Sequence, residues 1–413
     1  MRALLNKTNT AKAGSGDREG GLSRKAWNWA KQSVLDSGKN EESSKPQEES
    51  ASAQTIRVGK HAVRDRKMKF EARAHPYDHQ TRDDTSKGLS VESADLLGIV
   101  RSATTYVTRD LGFQGQLGSY IVLTYGDTMY SDSNYSDTWR GMTSDSAAFA
   151  THDPLLVVDA DLDENGFPRQ FCPINKKLGE DAAVFSLGIT NVVEIEPEHG
   201  ILYFLLNHRP GGINNIKGAG VATISLDTDT EPPGLTVNRL GQYWWDGDTE
   251  PWYGDVGAIR TNGYIYAYGH AKGNDWVYLT RVDDKRATDL SAYEYWNGEG
   301  WQKERLHTRD LSEKESVFWK INQGQVIWSN YHKCYLFVYC DMWWNSKVQA
   351  QRASAPEGPW SEPFELYQGV PITEGSTCYA AIPHPYFDHS GKTLVVTYTN
   401  HPNTIQAVKV TFS

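Results

Sequence analysis

Downstream of residue 90 the hydrophobic positions fall in short alternating runs. Gly, Asn, Asp and Pro cut them, and no helix-length amphipathic stretch interrupts them. Alternation with period two predicts half-buried strands. One unit recurs: a short strand, a turn, a Tyr-rich strand, a loop and a third strand. In its clearest copy, residues 255–260 turn at Thr261-Asn262-Gly263 into residues 264–268, and residues 276–281 follow. The Asn-Gly pair is a hairpin signal, because a type I′ turn needs positive φ at both central positions. Further copies are read at 191–195 with 201–206 and 221–225, at 325–328 with 334–339 and 348–353, and at 379–382 with 394–398 and 405–412. The least regular copy pairs 111–116 with 120–125 and leaves 105–108 as a separate strand before them.

Repeats of three or four strands at this spacing read as propeller blades. The expected fold class is all-β, a five-bladed β-propeller over residues 86–413, preceded by a largely disordered or weakly helical tail over 1–85. A two-sheet sandwich is the rival, but it gives no reason for a Tyr-rich strand to return in every unit. Aromatic residues packed between blades need no functional explanation.

Composition separates the two regions. Of 14 Trp, 22 Tyr and 12 Phe, only Trp27, Trp29, Phe70 and Tyr77 lie in residues 1–85. A segment so poor in large apolar groups cannot offset its chain entropy. Residues 23–35 carry one amphipathic pattern, with Ser23 placed to cap it and Trp27, Ala30 and Val34 on one face. The formal net charge of the whole chain is −10, which argues against a nucleic-acid partner. No run of 18 apolar residues appears, so no membrane helix is expected. The apolar run within Met1-Arg2-Ala3-Leu4-Leu5-Asn6 is too short for a secretory signal. A monomer is expected.

Candidate chemistry lies where acids meet turn residues at strand ends. Thr108-Arg109-Asp110-Leu111-Gly112 leads into the first unit, and Gly126-Asp127-Thr128 closes its second strand. If residues 111–116 pair with 120–125, Asp110 and Asp127 share one end of a hairpin. Neighbouring antiparallel strands are about 4.8 Å apart, so the two carboxylates could serve one acid–base reaction. If residues 105–108 are the partner instead, the aspartates fall at opposite ends. Either Asp alone also reads as a turn cap.

Arg140, with Asp145 after it, and Asp255 are candidate substrate contacts, although such an Arg is often held in a structural ion pair. Trp245, Trp252, Trp343 and Trp344 sit beside polar turn residues. Indoles pack on the C–H faces of sugars while Asp, Asn and Arg take the hydroxyls, so a carbohydrate groove is one reading. Plugs between blades are the other. His208, His270 and His384 lie near strand ends, but without the short spacing of a metal site. No metal and no cofactor is expected. Cys334 and Cys340 are too far apart along one extended strand to bridge. No phosphate-binding glycine loop or Gly-x-Ser-x-Gly elbow is present.

Taken together, several stretches resemble a known family. They are Thr108-Arg109-Asp110-Leu111-Gly112, Gly126-Asp127-Thr128, Trp139-Arg140, Tyr293-Glu294-Tyr295-Trp296-Asn297-Gly298 with Trp301, Glu315-Ser316-Val317, and Ala355-Pro356-Glu357-Gly358-Pro359-Trp360-Ser361. The set is similar to a family long labelled a domain of unknown function, which includes microbial endo-D-arabinanases, and it spans roughly residues 95–413. The resemblance implies a five-bladed propeller that cleaves glycosidic bonds in arabinan with a pair of aspartates, matched here by Asp110 and Asp127. The expectation is a glycoside hydrolase-like propeller acting on a carbohydrate. The alternatives are a non-catalytic carbohydrate-binding propeller and an intracellular propeller serving a small-molecule pathway.

Overall fold

The structure, a computed structural model, describes residues 67–71, 89–131, 139–341 and 345–413. The expected helix at 23–35, most of the expected tail, and Trp343 and Trp344 lie outside the described residues. Strands and short 3-10 turns make up the regular structure of the described residues. None of their helices is long and apolar enough to cross a membrane.

The strands form five antiparallel meanders of four. The first runs through Val107–Leu117, Tyr120–Ser131, Ser146–Ala150 and Leu156–Asp159. The second runs through Phe185–Glu196, His199–His208, Asn215–Asp227 and Gly234–Arg239. The third takes Gly257–Thr261, Tyr264–His270, Trp276–Asp283 and Glu294–Trp296. The fourth takes Gly324–Ser329, Cys334–Cys340, Lys347–Ala353 and Phe364–Gln368. The fifth takes Cys378–His384, Thr393–Asn400 and Thr404–Phe412 from the end of the chain and Val91–Ile99 from before the first meander.

Each meander's first strand touches the first strand of the next, and the fifth returns to the first. The result is a closed ring of radial sheets, the arrangement of a β-propeller. The apolar faces meet between neighbours. One buried cluster joins the first and second meanders through Leu187, Phe204 and Phe149. Another joins the second and third through Tyr203, Trp245 and Tyr278. The third and fourth meet at Tyr268, Phe318 and Phe337, and the fourth and fifth at Leu336, Val396 and Val408. The seam between the fifth and first is the smallest, built on Ile121, Tyr125, Tyr386 and Ile405.

Near the axis, side-chain amides link strands of neighbouring and facing meanders. Asn191 donates to the Ala258 carbonyl at 2.9 Å and accepts from the Ala258 amide at 2.8 Å. Gln325 donates to the Gln114 carbonyl at 2.7 Å and accepts from the Gln114 amide at 3.1 Å, which joins the first meander to the fourth. A carboxamide matches the donor–acceptor pair of a peptide unit, so it can stand in for a missing strand.

Two readings change here. Residues 107–117 form one continuous strand, where the sequence suggested separate strands at 105–108 and 111–116. Lys67–Glu71, placed in the tail from sequence, packs against the ring. Lys69 bridges to Tyr120, the Phe70 amide donates to Ser119 O at 2.7 Å, and the Phe70 ring stacks on His152 at 4.6 Å. Phe70 also meets Tyr386 and Phe387 edge-on, so it fills the thin seam. A lone aromatic in polar surroundings carries no periodic signal.

Two outcomes follow from these contacts. Phe70→Ala is expected to lower stability by about 3–5 kcal/mol in chemical denaturation, because a buried ring is lost from a small cluster. Deleting residues 403–413 removes a central strand of the fifth meander and is expected to abolish cooperative unfolding. A soluble truncation that melts with a single sharp transition would show that the ring closes elsewhere.

Candidate active site

In every meander the start of the first strand and the end of the second lie together, since the two are antiparallel. These ends form one mouth of the ring. Asp110 and Asp127 meet there, three residues inside the first hairpin. Arg109 pairs with Thr128, and the next pairing is Leu111 with Tyr125, so Asp110 alone faces Gly126 and Asp127. A second register shift follows at once, between Leu111 and Phe113. Such bulges bend a strand and re-aim its side chains. The strain shows in Leu111, whose φ is 69°, followed by Gly112 at 94°. A bulky residue at positive φ is an outlier that surrounding contacts must hold in place. The Thr399 hydroxyl accepts from the Leu111 amide at 3.0 Å. Gly126 is also constrained, because a Cβ there would lie 2.3 Å from Asp110 Oδ1.

Neighbouring meanders complete the surroundings. The Tyr379 hydroxyl, from the fifth, donates to Asp110 Oδ2 at 3.1 Å. Tyr379 lies on its own bulge, next to Ala380 with φ 51°. From the second meander, Arg209 Nη1 stands 3.8 Å from Asp127 Oδ1. Asn403 donates to the Asp127 carbonyl at 2.8 Å. Beside them, Arg109 forms a buried 2.7 Å ion pair with Asp159 and lies over the Tyr125 ring, which anchors the strand that carries Asp110.

These surroundings shift both carboxyls. Burial pushes Asp110 up from 3.8 to about 8, the nearby Asp127 adds to the rise, and the Tyr379 hydrogen bond only partly offsets it. Burial also raises Asp127, opposed by the Arg209 guanidinium. Burial and the adjacent Asp110 hold the Tyr379 phenol well above its usual value, so it remains a donor.

Other polar groups lie at the same mouth. His270 ends the third meander's second strand. Its Nδ1 lies 3.0 Å from Asp255 Oδ2, and its amide donates to Asp255 Oδ1 at 2.9 Å. Burial works against its charge, but the Asp255 carboxylate and its hydrogen bond outweigh that and raise the pKa. Ser186 Oγ, Asn207 Oδ1, Asn322 Nδ2, Gln323 Oε1 and Asp110 Oδ1 are buried there with no protein partner. Hydrogen-bonding capacity of this kind suits a polyhydroxylated ligand.

The remaining sequence candidates are placed as follows. Asp145 is fully buried, and one of its oxygens accepts from the Phe171 and Cys172 amides, so it tethers a loop from inside the core. Trp245 is fully buried, and its indole donates to the Tyr295 hydroxyl, which makes it a plug between the second and third meanders. Trp252 is half-buried, donates to Gly247 O and packs on the same cluster. Aromatic residues beside turns do not distinguish a plug from a platform by sequence. Arg140 is exposed on Trp139–Thr143, a short strand beside the first hairpin. His384 is a core residue bonded to Thr397 and Tyr386, and burial lowers it to about 3. Arg209, Tyr379, Thr399 and Asn403 were not singled out from sequence, because they come from other meanders and no spacing marks them.

Comparison with known proteins gives a partial family match. Residues 234–407 match the family model described as a domain of unknown function, DUF4185. The matched span contains the Tyr293–Gly298 and Ala355–Ser361 motifs, while Asp110 and Asp127 lie upstream of the DUF4185 match. No curated protein matches the chain. A candidate hydrolase from Bacteroides ovatus shares the fold at TM-score 0.55 and 16% identity, over 73% of this chain and 85% of that one. A family 117 glycoside hydrolase from Zobellia galactanivorans aligns at TM-score 0.43 and 13% identity, over 77% and 90% of the two chains. An arabinanase from Bacillus subtilis aligns at 0.40 and 9%, over 74% and 96%.

The raised Asp110 has a consequence for stability. Its proton is held more tightly in the fold than in the unfolded chain. Its burial is therefore harmless below pH 3.8 and weakens the fold increasingly as pH rises toward 8. Asp110→Asn is permanently neutral. It is expected to match the wild type in denaturant titrations at pH 4 and to exceed it at pH 8–9. A variant destabilised equally at every pH would show that Asp110 is held in place as a carboxylate.

Proposed function

We propose that the five meanders are the blades of a five-bladed β-propeller and that its mouth is the active site of a glycoside hydrolase acting on an arabinan-type glycan. The observation that carries this reading is the facing pair Asp110 and Asp127, with one carboxyl held protonated near neutral pH beside another that has a guanidinium partner. Glycoside hydrolysis needs such a division between an acid and a base or nucleophile. Asp110, raised to about 8, is the acid that protonates the leaving oxygen. Asp127, with Arg209 beside it, is the base or nucleophile. Tyr379 orients Asp110 through its hydrogen bond. Asp255 and His270 contact sugar hydroxyls across the mouth. The sequence resemblance to a family that includes endo-D-arabinanases supplies the substrate class; the match over residues 234–407 carries no substrate and does not reach the aspartates.

Asp110→Asn and Asp127→Asn are each expected to stay folded and to lose about 10²–10⁴-fold in kcat on arabinan, since an amide neither gives nor takes the proton. The double variant is expected to fall little further than the worse single, because both groups act in one transition state. The upper limb of the kcat/KM profile is expected near pH 8 and should move upward in Tyr379→Phe, which removes a hydrogen bond that lowers the Asp110 pKa. Wild-type turnover in both single Asn variants, measured on arabinan and a panel of other glycans, would remove this pair from the chemistry.

A further inference from the structure

The seam between the fifth and first meanders does not close fully. Phe70 fills it on one side, and near the aspartates it opens into a cleft of about 390 Å³. That volume is in the range of small-ligand sites, about 300–1,000 Å³. The cleft adjoins the aspartate pair, although neither carboxyl lines it. Its wall includes Thr108 and Arg109, which precede Asp110, and Asn403, whose side chain holds the Asp127 carbonyl. Anything bound at the pair and extending past Asn403 would enter it.

The lining has a definite chemical character. Trp139 and Ile372 are among the large apolar side chains that remain exposed, at 45% and 55%, and both line this cleft. Thr108 and Thr373 contribute hydroxyls and Asn403 an amide oxygen, while the Ser102 hydroxyl is committed to Asp159 and the Thr104 and Thr105 amides. No Asp or Glu is among its described lining residues, although the chain as a whole is acidic. Flat apolar surface beside hydroxyls, an amide and the guanidinium groups of Arg101 and Arg109 suits a sugar ring, with its apolar face and its rim of hydroxyls.

We propose that this cleft is a subsite for the sugar residues that continue the glycan beyond the bond held at Asp110 and Asp127, with Trp139 as its platform. The inference rests on the glycan-cleaving reading of the mouth and adds a direction to it. The substrate chain leaves the axis between the fifth and first meanders, and affinity grows with chain length on that side.

The test uses the full chain, with D-arabinan and arabino-oligosaccharides of increasing length as probes. Trp139→Ala removes the platform, and Thr373→Trp fills the cleft from an exposed position. Each is compared with the wild type by calorimetric titration and by turnover. The expected result is a weakening of Kd and KM by about fivefold or more for oligosaccharides long enough to span the cleft, with the shortest bound sugar unaffected. Equal weakening at every length, no weakening in either variant, or a wild type that binds none of the probes would overturn the proposal. Failure of the underlying reading looks different. Asp110→Asn and Asp127→Asn would then keep full turnover, while Trp139→Ala would still lose affinity for the longer probes alone.

Discussion

The structure depends on how the inner edges of its sheets are satisfied. A radial sheet leaves one edge of its first strand facing the axis, where neighbouring strands diverge and a continuous ladder cannot form. Buried backbone groups there need partners. Asn191 and Gln325 provide them by presenting a carboxamide to a facing amide and carbonyl. The Thr124 hydroxyl donates to Thr190 O, and that of Thr399 receives the Leu111 amide. These bonds are directional, unlike the apolar clusters between sheets. They set the height at which each first strand sits, and so decide which residues reach the mouth.

Asp110 illustrates the result. Its strand is held from the fifth meander by Thr399 and from the fourth by Gln325, while the Arg109–Asp159 pair fixes it within its own sheet. Held so firmly, the strand can keep a leucine at positive φ and bury a carboxyl against another carboxyl. Both features weaken the fold locally. Sites adapted to proton transfer commonly combine rigid support with unfavourable local electrostatics.

The sequence disclosed the repeating part of this design. Period-two alternation and turn residues place most strands close to where they occur, and the Asn262-Gly263 hairpin falls where its turn chemistry puts it. Asp110 and Asp127 could be singled out because they lie on one hairpin. What could not be read depends on the ring. Tyr379, Arg209 and Asn403 act on the pair from meanders far away in the chain. Trp245 and Asp145 resembled ligand contacts because burial leaves no local mark, and both are core groups. Phe70 gave no signal, because a single ring entering a seam has no periodicity. The continuous strand at Val107–Leu117 reads as two pieces in sequence because its two bulges interrupt the alternation around Asp110.

Val91–Ile99 pairs with Thr404–Phe412, and the Ser413 amide donates to Ser90 O at 3.0 Å. The earliest strand of the ring therefore waits for the latest. During synthesis the first four meanders can stack as they emerge, but the fifth lacks its central strand until residue 412 has cleared the ribosome. Until then both ends of the stack expose an unpaired apolar face, and Val91–Ile99 is a free edge ready to pair with another chain. At a given translation rate, the time spent open is set by the distance from Ile99 to Thr404. Crowding of nascent chains on one message should therefore promote exchange of this strand between neighbouring copies, producing linked rings without altering any contact within a finished one.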